Sequence, residues 1–241
     1  MINSADIIKQ LEKRLGDVSQ NSKTTHTGIV EKNSDGVVIA SGLSDVTMGE
    51  MVEFDNSSRG VVFNLTPDSV SIILLNSKGD IKEGDKMKRT NELLSIQVSE
   101  ELLGRVVDPI GNPLDGKPVI KKGKTMPLKK IAAGVTARQP VDTPLKTGIK
   151  AIDAMIPVGL GQRELIIGDR GLGKTAIALD TIINQRADEK SKNKKQVICI
   201  YVAIGQKQSS VSQVIDRLKQ ANAFDYTIVV SATAADPASR Q

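Results

Sequence analysis

The sequence has few of the residue types that build disulfides, metal clusters or base-stacking surfaces. Its 241 residues include one cysteine, one histidine, no tryptophan, two tyrosines and three phenylalanines. A single cysteine excludes an intramolecular disulfide framework, and Cys199 lies in an apolar run where we expect a buried, unreactive thiol. The one histidine, His26, lies in a polar stretch where we expect it to be solvated. With one histidine and one cysteine, the sequence also lacks a cluster of such ligands for a metal.

Long apolar runs are lacking as well. No run approaches the roughly 18 residues that a transmembrane helix needs, and the first residues show neither a signal-peptide core nor an arginine-rich transit pattern. With 39% hydrophobic and 25% charged residues, the composition is typical of a globular protein. We expect that this chain itself is not a membrane protein.

Much of the net charge of +5 comes from two lysine clusters, at 121–124 and 190–195. Surfaces that bind single-stranded nucleic acid combine positive charge with aromatic side chains that stack on bases, and this chain has few aromatic residues. We interpret both clusters as solvated surface and expect no nucleic-acid partner.

The most specific motif lies at 164–179, where an apolar segment, a glycine-rich loop and an alanine- and leucine-rich segment follow one another. Gly168, Gly173, Lys174 and Thr175 have the spacing G-x-x-x-x-G-K-[ST] of a P-loop. We therefore predict a strand at 164–167, a phosphate-binding loop and a helix. A chance match in a phosphate-free turn is the alternative, and the flanking segments argue against it.

Each part of such a loop has a chemical role. The glycines let backbone N–H groups converge on a phosphate, the helix N-terminus favours negative charge, Lys174 adds a cation, and the Thr175 hydroxyl can ligate Mg²⁺. The predicted cofactors are ATP or ADP and Mg²⁺, with Thr175 as the metal ligand. The predicted binding residues are Gly168, Asp169, Arg170, Gly171, Leu172, Gly173, Lys174 and Thr175. Hydrolysis needs further groups, so no catalytic residue is assigned.

The rest of the sequence divides into three parts. Residues 1–27 combine a short amphipathic helix with a polar linker, and docking to a partner or packing on its own domain both remain open. The apolar face of that helix carries Ile7, Ile8, Leu11 and Leu15. Residues 28–98 contain five short apolar segments separated by turns, which predicts a small closed or sandwiched β domain.

Residues 99–241 show strands that alternate with helices. After a turn-rich boundary at 104–116, we predict a helix at 147–155, the P-loop unit, and strands at 197–204 and 227–230. Between these strands a helix places Val211, Val214, Ile215 and Leu218 on one face. The pattern predicts a parallel sheet covered on both faces, and with only three clear strands we expect an incomplete domain.

Several long segments resemble the alpha subunit of the F-type ATP synthase, along nearly the whole chain. They lie at 104–116, 148–157, 161–170, 201–207 and 230–238. The beta subunit and the hexameric Rho helicase share the architecture. Asp169-Arg170 is similar to the alpha pattern, and Gln206 stands where beta subunits use a glutamate to activate water. An amide cannot act as that base.

The resemblance implies an N-terminal helix, a small β-barrel and a partial RecA-like P-loop domain that binds Mg-ATP without turning it over. It implies beta subunits in an alternating hexamer, a gamma subunit in the central cavity and a delta subunit at the N-terminal helix. It also implies a peripheral position on the cytoplasmic face of the bacterial plasma membrane, or the equivalent organelle membrane, through the complex. The family's arginine finger and acidic magnesium residue lie beyond Gln241.

Two positions depart from the family pattern. Gly171-Leu172 replaces the usual Gln-Thr of the loop, and Leu160 replaces an arginine; we expect altered affinity or nucleotide preference at the first. Besides a regulatory, non-catalytic ATP-binding subunit, an independent P-loop ATPase and a Rho-like RNA motor remain alternatives. No carboxylate ends either later strand, which counts against the first alternative, and the few aromatic residues count against the second.

Overall fold

The computed structural model describes residues 27–43, 45–76, 79–120, 122–186 and 196–241. The predicted helix and linker at 1–26, with His26, lie outside the described residues, as do Lys121 and the lysine cluster at 190–195. The chain divides into two compact units, Met1–Glu92 and Leu93–Gln241.

The first unit is a closed β-barrel. Its strands are β1 (Thr27–Ser34), β2 (Val37–Ser41), β3 (Glu50–Phe54), β4 (Arg59–Leu65), β5 (Val70–Asn76) and β6 (Lys86–Leu93). They follow one another around the barrel in the order β1-β2-β5-β4-β3-β6, and β6 pairs antiparallel with β1 to close it. This confirms the predicted barrel and adds β6, a strand that the five apolar segments did not include.

The barrel interior is filled by the alternate residues of its strands. Val38, Val52, Ile72 and Met87 are fully buried, as the two-residue period of a strand with one buried face requires. Gly60 is needed where β4 pairs with β5, because a Cβ there would lie 2.4 Å from Ile72 Cγ2.

One carboxylate lies inside the barrel, at the start of β3. Glu50 is 2% exposed, and Arg89 of β6 donates to both of its oxygens at 2.9 and 3.0 Å. The backbone N–H groups of Thr47 and Asn91 also donate to it. Burial alone would raise the pKa of Glu50, but these hydrogen bonds together lower it. The buried charge therefore joins β3 to β6.

The second unit contains a three-stranded parallel sheet and two separate antiparallel strand pairs. The strands of the whole unit are β7 (Ser95–Val98), β8 (Val106–Val107), β9 (Lys124–Pro127), β10 (Pro144–Leu145), β11 (Val158–Gly159), β12 (Cys199–Gln206) and β13 (Thr227–Thr233). The sheet order is β12-β13-β8, with Val106 opposite Val229. Two small antiparallel pairs, β7 with β9 and β10 with β11, lie outside it.

The described residues of this unit form three α-helices: α1 (Lys150–Met155), α2 (Lys174–Ile183) and α3 (Gln208–Gln220). The buried face of α3 carries Val211, Val214 and Leu218, as the helical spacing predicts. These residues share one core with Leu179 of α2 and the inward side chains of β12 and β13.

Two predictions about this unit are wrong. Residues 164–167 form no strand: they have no ladder partner, and Leu165, Ile166 and Ile167 are 80%, 45% and 84% exposed. An apolar run becomes a strand only where another strand pairs with it, and here the third strand of the sheet is β8 instead. The sheet is also covered on only one face at β12, whose alternate residues Ile200, Val202 and Ile204 are more than half exposed.

Candidate functional site

The predicted P-loop residues form one continuous loop that leads into α2. Gly171 and Gly173 have φ angles of +85° and +87°, in the left-handed region that glycine adopts without strain. Gly173 is the residue before the helix, and its carbonyl accepts the first helical hydrogen bond from Ile177 N at 3.1 Å. Lys174 and Thr175 therefore occupy the first turn, where backbone N–H groups are unpaired within the helix.

The Lys174 side chain folds back across the loop. Its Nζ donates to the carbonyl oxygens of Gly168 and Asp169, the second at 2.6 Å. The ammonium group thus lies over the loop that a phosphate would enter. A ligand phosphate can take the place of these carbonyls and form a charge-assisted hydrogen bond.

The loop has the open space that an anion requires. A Cβ built on Gly171 or Gly173 meets no atom within 4 Å. A Cβ built on Gly168 meets only the Leu172 side chain, at 3.5 Å. Leu172 is 69% exposed at the loop crest, so an apolar side chain stands where the loop faces solvent. Backbone N–H donors, a lysine cation and a helix N-terminus together fit a phosphate chain.

Magnesium would find one protein ligand here, the exposed hydroxyl of Thr175. Among the described residues no group of three or more histidine, cysteine, aspartate or glutamate side chains could hold a metal by itself. Mg²⁺ commonly keeps several waters and takes phosphate oxygens beside one or two protein ligands, so the loop fits Mg²⁺ only together with a nucleotide.

The opposite end of α2 is held by three side chains that belong to no sequence motif. Asn184 Nδ2 donates to Asp180 O at 2.8 Å and to Thr147 O at 3.0 Å. Gln185 Nε2 donates to Thr181 O at 2.9 Å and to Lys146 O at 2.7 Å. The Tyr226 hydroxyl lies 3.0 Å from Ile182 O and 3.2 Å from Ile183 O. Polar side chains just after a helix only weakly indicate such contacts, and Tyr226 lies far from α2 in the chain.

Gln206 lies at the end of β12, where the sequence placed it, and its carbonyl accepts from Ala234 N at 3.1 Å. After β13, Asp236 accepts from Thr233 N and Oγ1 at 2.7 and 2.8 Å. The end of β12 therefore carries a neutral amide and no carboxylate.

A separate cleft of about 470 Å³ lies between α3 and the ends of β8 and β13. Its charged lining is Asp115, Asp216, Asp236 and Lys219, and it contains no residue of the P-loop. A cleft lined by three carboxylates and one lysine is less suited to a polyphosphate than the loop, so we place the candidate nucleotide site at the loop on chemical grounds.

Two family models match the chain, one on each unit. Residues 25–91 match the ATP synthase alpha/beta family, beta-barrel domain, and residues 148–241 match the ATP synthase alpha/beta family, nucleotide-binding domain. The chain therefore belongs to the ATP synthase alpha/beta family.

Within this family the chain is similar to alpha subunits over its whole length. It is 51% identical to the ATP synthase subunit alpha of Parabacteroides distasonis over 242 residues, which cover 100% of this chain and 46% of the relative. It is 48% identical to that of Marinobacter nauticus (100% and 45% covered) and 47% identical to that of Staphylococcus epidermidis (98% and 46% covered). The chain thus spans about half the length of these curated relatives.

Within the part of the chain that the structure describes, no helix has both the length and the apolar composition needed to cross a membrane.

Proposed function

We propose that this chain binds Mg-ATP or Mg-ADP at residues 168–175 as a regulatory, non-catalytic alpha subunit of a proton-translocating F-type ATP synthase. The observation that carries the proposal is the loop itself. Open space over Gly171 and Gly173, the Lys174 ammonium and the free first turn of α2 meet at one point. The match to the family's nucleotide-binding domain supports the same ligand.

The non-catalytic role is supported by the residue at the end of β12. Gln206 has a neutral amide, which cannot take a proton from water as a carboxylate does. Among the eight loop residues, Thr175 would ligate the Mg²⁺ ion that the nucleotide brings, and Lys174 would hold its outer phosphates. The ion would supply charge neutralisation between the phosphates.

The partners follow from the similarity to alpha subunits. We propose that residues 28–98 form a β-barrel domain and that residues 99–241 form the nucleotide-binding domain, which assembles with beta subunits around a gamma subunit. Residues 1–27 would reach a delta subunit. The chain would then be peripheral on the cytoplasmic face of the bacterial plasma membrane, or on the equivalent organelle membrane, through the complex.

The first test is the variant Lys174→Ala. It removes the cation from the loop, a charge-assisted contact worth roughly 1.5–3 kcal/mol, so we expect Mg-ATP to bind at least about tenfold more weakly. Titration of a fluorescent ATP analogue into both proteins measures the change. Lys150→Ala, which removes a lysine from α1 outside the loop, is the matched control. Equal dissociation constants for wild type and Lys174→Ala would contradict the phosphate site.

The second test is turnover. Because Gln206 is no base, we expect the purified chain to release phosphate from ATP no faster than the buffer blank. A coupled phosphate assay at saturating Mg-ATP measures the rate, with Lys174→Ala as the control for a contaminating ATPase. Steady release by the wild type that disappears in Lys174→Ala would favour the independent P-loop ATPase over the subunit.

A further inference from the structure

The C-terminal end of α2 is capped by side chains at each of its last four carbonyls. In an α-helix the last four carbonyl oxygens have no partner within the helix. Two of them, Asp180 O and Ile182 O, accept from the backbone N–H groups of Asn184 and Gln185, both at 3.0 Å, and all four also have a side-chain partner. Here Asn184 donates to Asp180 O, Gln185 to Thr181 O, and the Tyr226 hydroxyl lies within hydrogen-bond distance of Ile182 O and Ile183 O. We call Asn184, Gln185 and Tyr226 the terminal clamp.

The terminal clamp also connects the helix end to two distant parts of the unit. Asn184 and Gln185 reach the carbonyls of Thr147 and Lys146, just before α1. Tyr226 precedes β13, is 7% exposed and belongs to the core that α2, α3 and the sheet share. Burial raises the pKa of Tyr226, so its hydroxyl remains protonated and able to donate.

The packing at the terminal clamp leaves little room for movement. A Cβ on Gly148 would lie 2.2 Å from Asn184 Nδ2, and Gly148 has a φ of +77°. The turn itself is fixed by Asp153, which accepts from Thr147 N and Gly148 N at 2.9 Å each. The helix end is therefore seated against a rigid turn.

We propose that Tyr226 and Asn184 are positioning residues for the nucleotide site, an inference that rests on the proposed function. The helix α2 has ten residues, so it spans about 15 Å from the terminal clamp to the phosphate loop. By contrast, the loop itself is exposed, and the apolar residues before it pair with no strand. The terminal clamp therefore sets where the first turn of α2, with Lys174 and Thr175, is held.

The test compares nucleotide affinity with stability in three variants of the whole chain. Tyr226→Phe removes the hydroxyl at nearly constant shape, and Asn184→Leu removes the amide while keeping a side chain of similar size. Leu102→Ala is the matched control, since Leu102 is 5% exposed and packs against Ile228 and Val230, on the face of β13 opposite to Val229. Mg-ATP is titrated by calorimetry, and the melting temperature is measured for each protein.

We expect Tyr226→Phe and Asn184→Leu to weaken Mg-ATP binding about three- to tenfold, although neither residue belongs to the loop. Leu102→Ala should lower the melting temperature at least as much and leave the dissociation constant unchanged. If both clamp variants bind Mg-ATP as the wild type does, the inference is overturned and the terminal clamp is only structural. If the wild type itself fails to bind, the proposed function is overturned together with the inference.

Discussion

Arg105 and Asp115 form a partly buried ion pair that joins β8 to the turns after it. Arg105 Nε lies 2.6 Å from Asp115 Oδ2, and the two side chains are 10% and 12% exposed. The Arg105 guanidinium also donates to Pro118 O at 3.0 Å. The hydrogen bond from Arg105 lowers the pKa of Asp115 from 3.8 to about 2.

This ion pair predicts an acid-dependent stability. The unfolded Asp115 binds a proton below about pH 4, whereas the folded one remains charged to about pH 2. The stabilisation is therefore complete above pH 4 and is lost as the pH falls from about 4 to 2. We expect Asp115→Asn to lower the free energy of unfolding at pH 7 by about 1–2 kcal/mol and to flatten this acid limb.

Urea unfolding between pH 2 and 7 measures both effects. Asp216→Asn, a change to an exposed aspartate on α3, serves as the control and should leave the curve within about 0.5 kcal/mol of the wild type. An unchanged acid limb in Asp115→Asn would show that the ion pair contributes nothing to folding.

Among the elements, β12 has the clearest division between its two faces. Cys199, Tyr201 and Ala203 are buried against the helices, whereas Ile200 and Val202 are 59% and 53% exposed. Since parallel strands are normally covered on both faces, this exposed face predicts association in solution.

The double variant Ile200→Thr/Val202→Thr should therefore reduce light scattering at high protein concentration. It should shift the melting temperature little, because both side chains already contact water and threonine keeps the β-branched shape. The control is Val229→Thr on β13, a fully buried position where a hydroxyl without a partner should destabilise by roughly 1–3 kcal/mol. If the double variant destabilises as much as Val229→Thr, the exposed face of β12 is covered in solution.

The elements that the sequence predicted correctly are those with a clear local pattern. Short apolar segments separated by turns identified the first five barrel strands, and helical spacing identified α3. β6 was not predicted because its sequence is polar and Met87 is its only fully buried residue. β8 was not predicted because it has only two residues, in a turn-rich segment. The segment at 164–167 was misassigned because an apolar run before a P-loop does not show whether another strand pairs with it.

Only one part of the candidate site could be predicted from the sequence. The loop at 168–175 was predictable because the glycines, lysine and threonine that surround one phosphate must be close in sequence. The terminal clamp was not readable, since Tyr226 reaches α2 from more than forty residues away and is connected to it only by the fold.

On the scale of the whole molecule, the two units differ in how completely their backbone hydrogen bonds are paired. The barrel is closed and has no free edge, whereas among the described strands β12 leaves one edge of its sheet unpaired. We expect hydrogen exchange to show the strongest protection in residues 28–98 and weaker protection in 99–241. Mg-ATP should add protection near 168–175. Uniformly strong protection through residue 241 in a monomer would contradict this prediction.

The place of β13 in its sheet has a consequence for the order of events during synthesis. β13 lies between β12 and β8, and Val229 pairs with Val106, roughly 120 residues earlier in the chain. While the protein emerges from the ribosome, β8 and β12 have no common neighbour until the residues of β13 have left the exit tunnel. The barrel, whose strands are complete by residue 93, can fold long before that point. Between these two points, a finished barrel therefore precedes a length of nascent chain in which β8 and β12 lack their common partner and which a chaperone could bind.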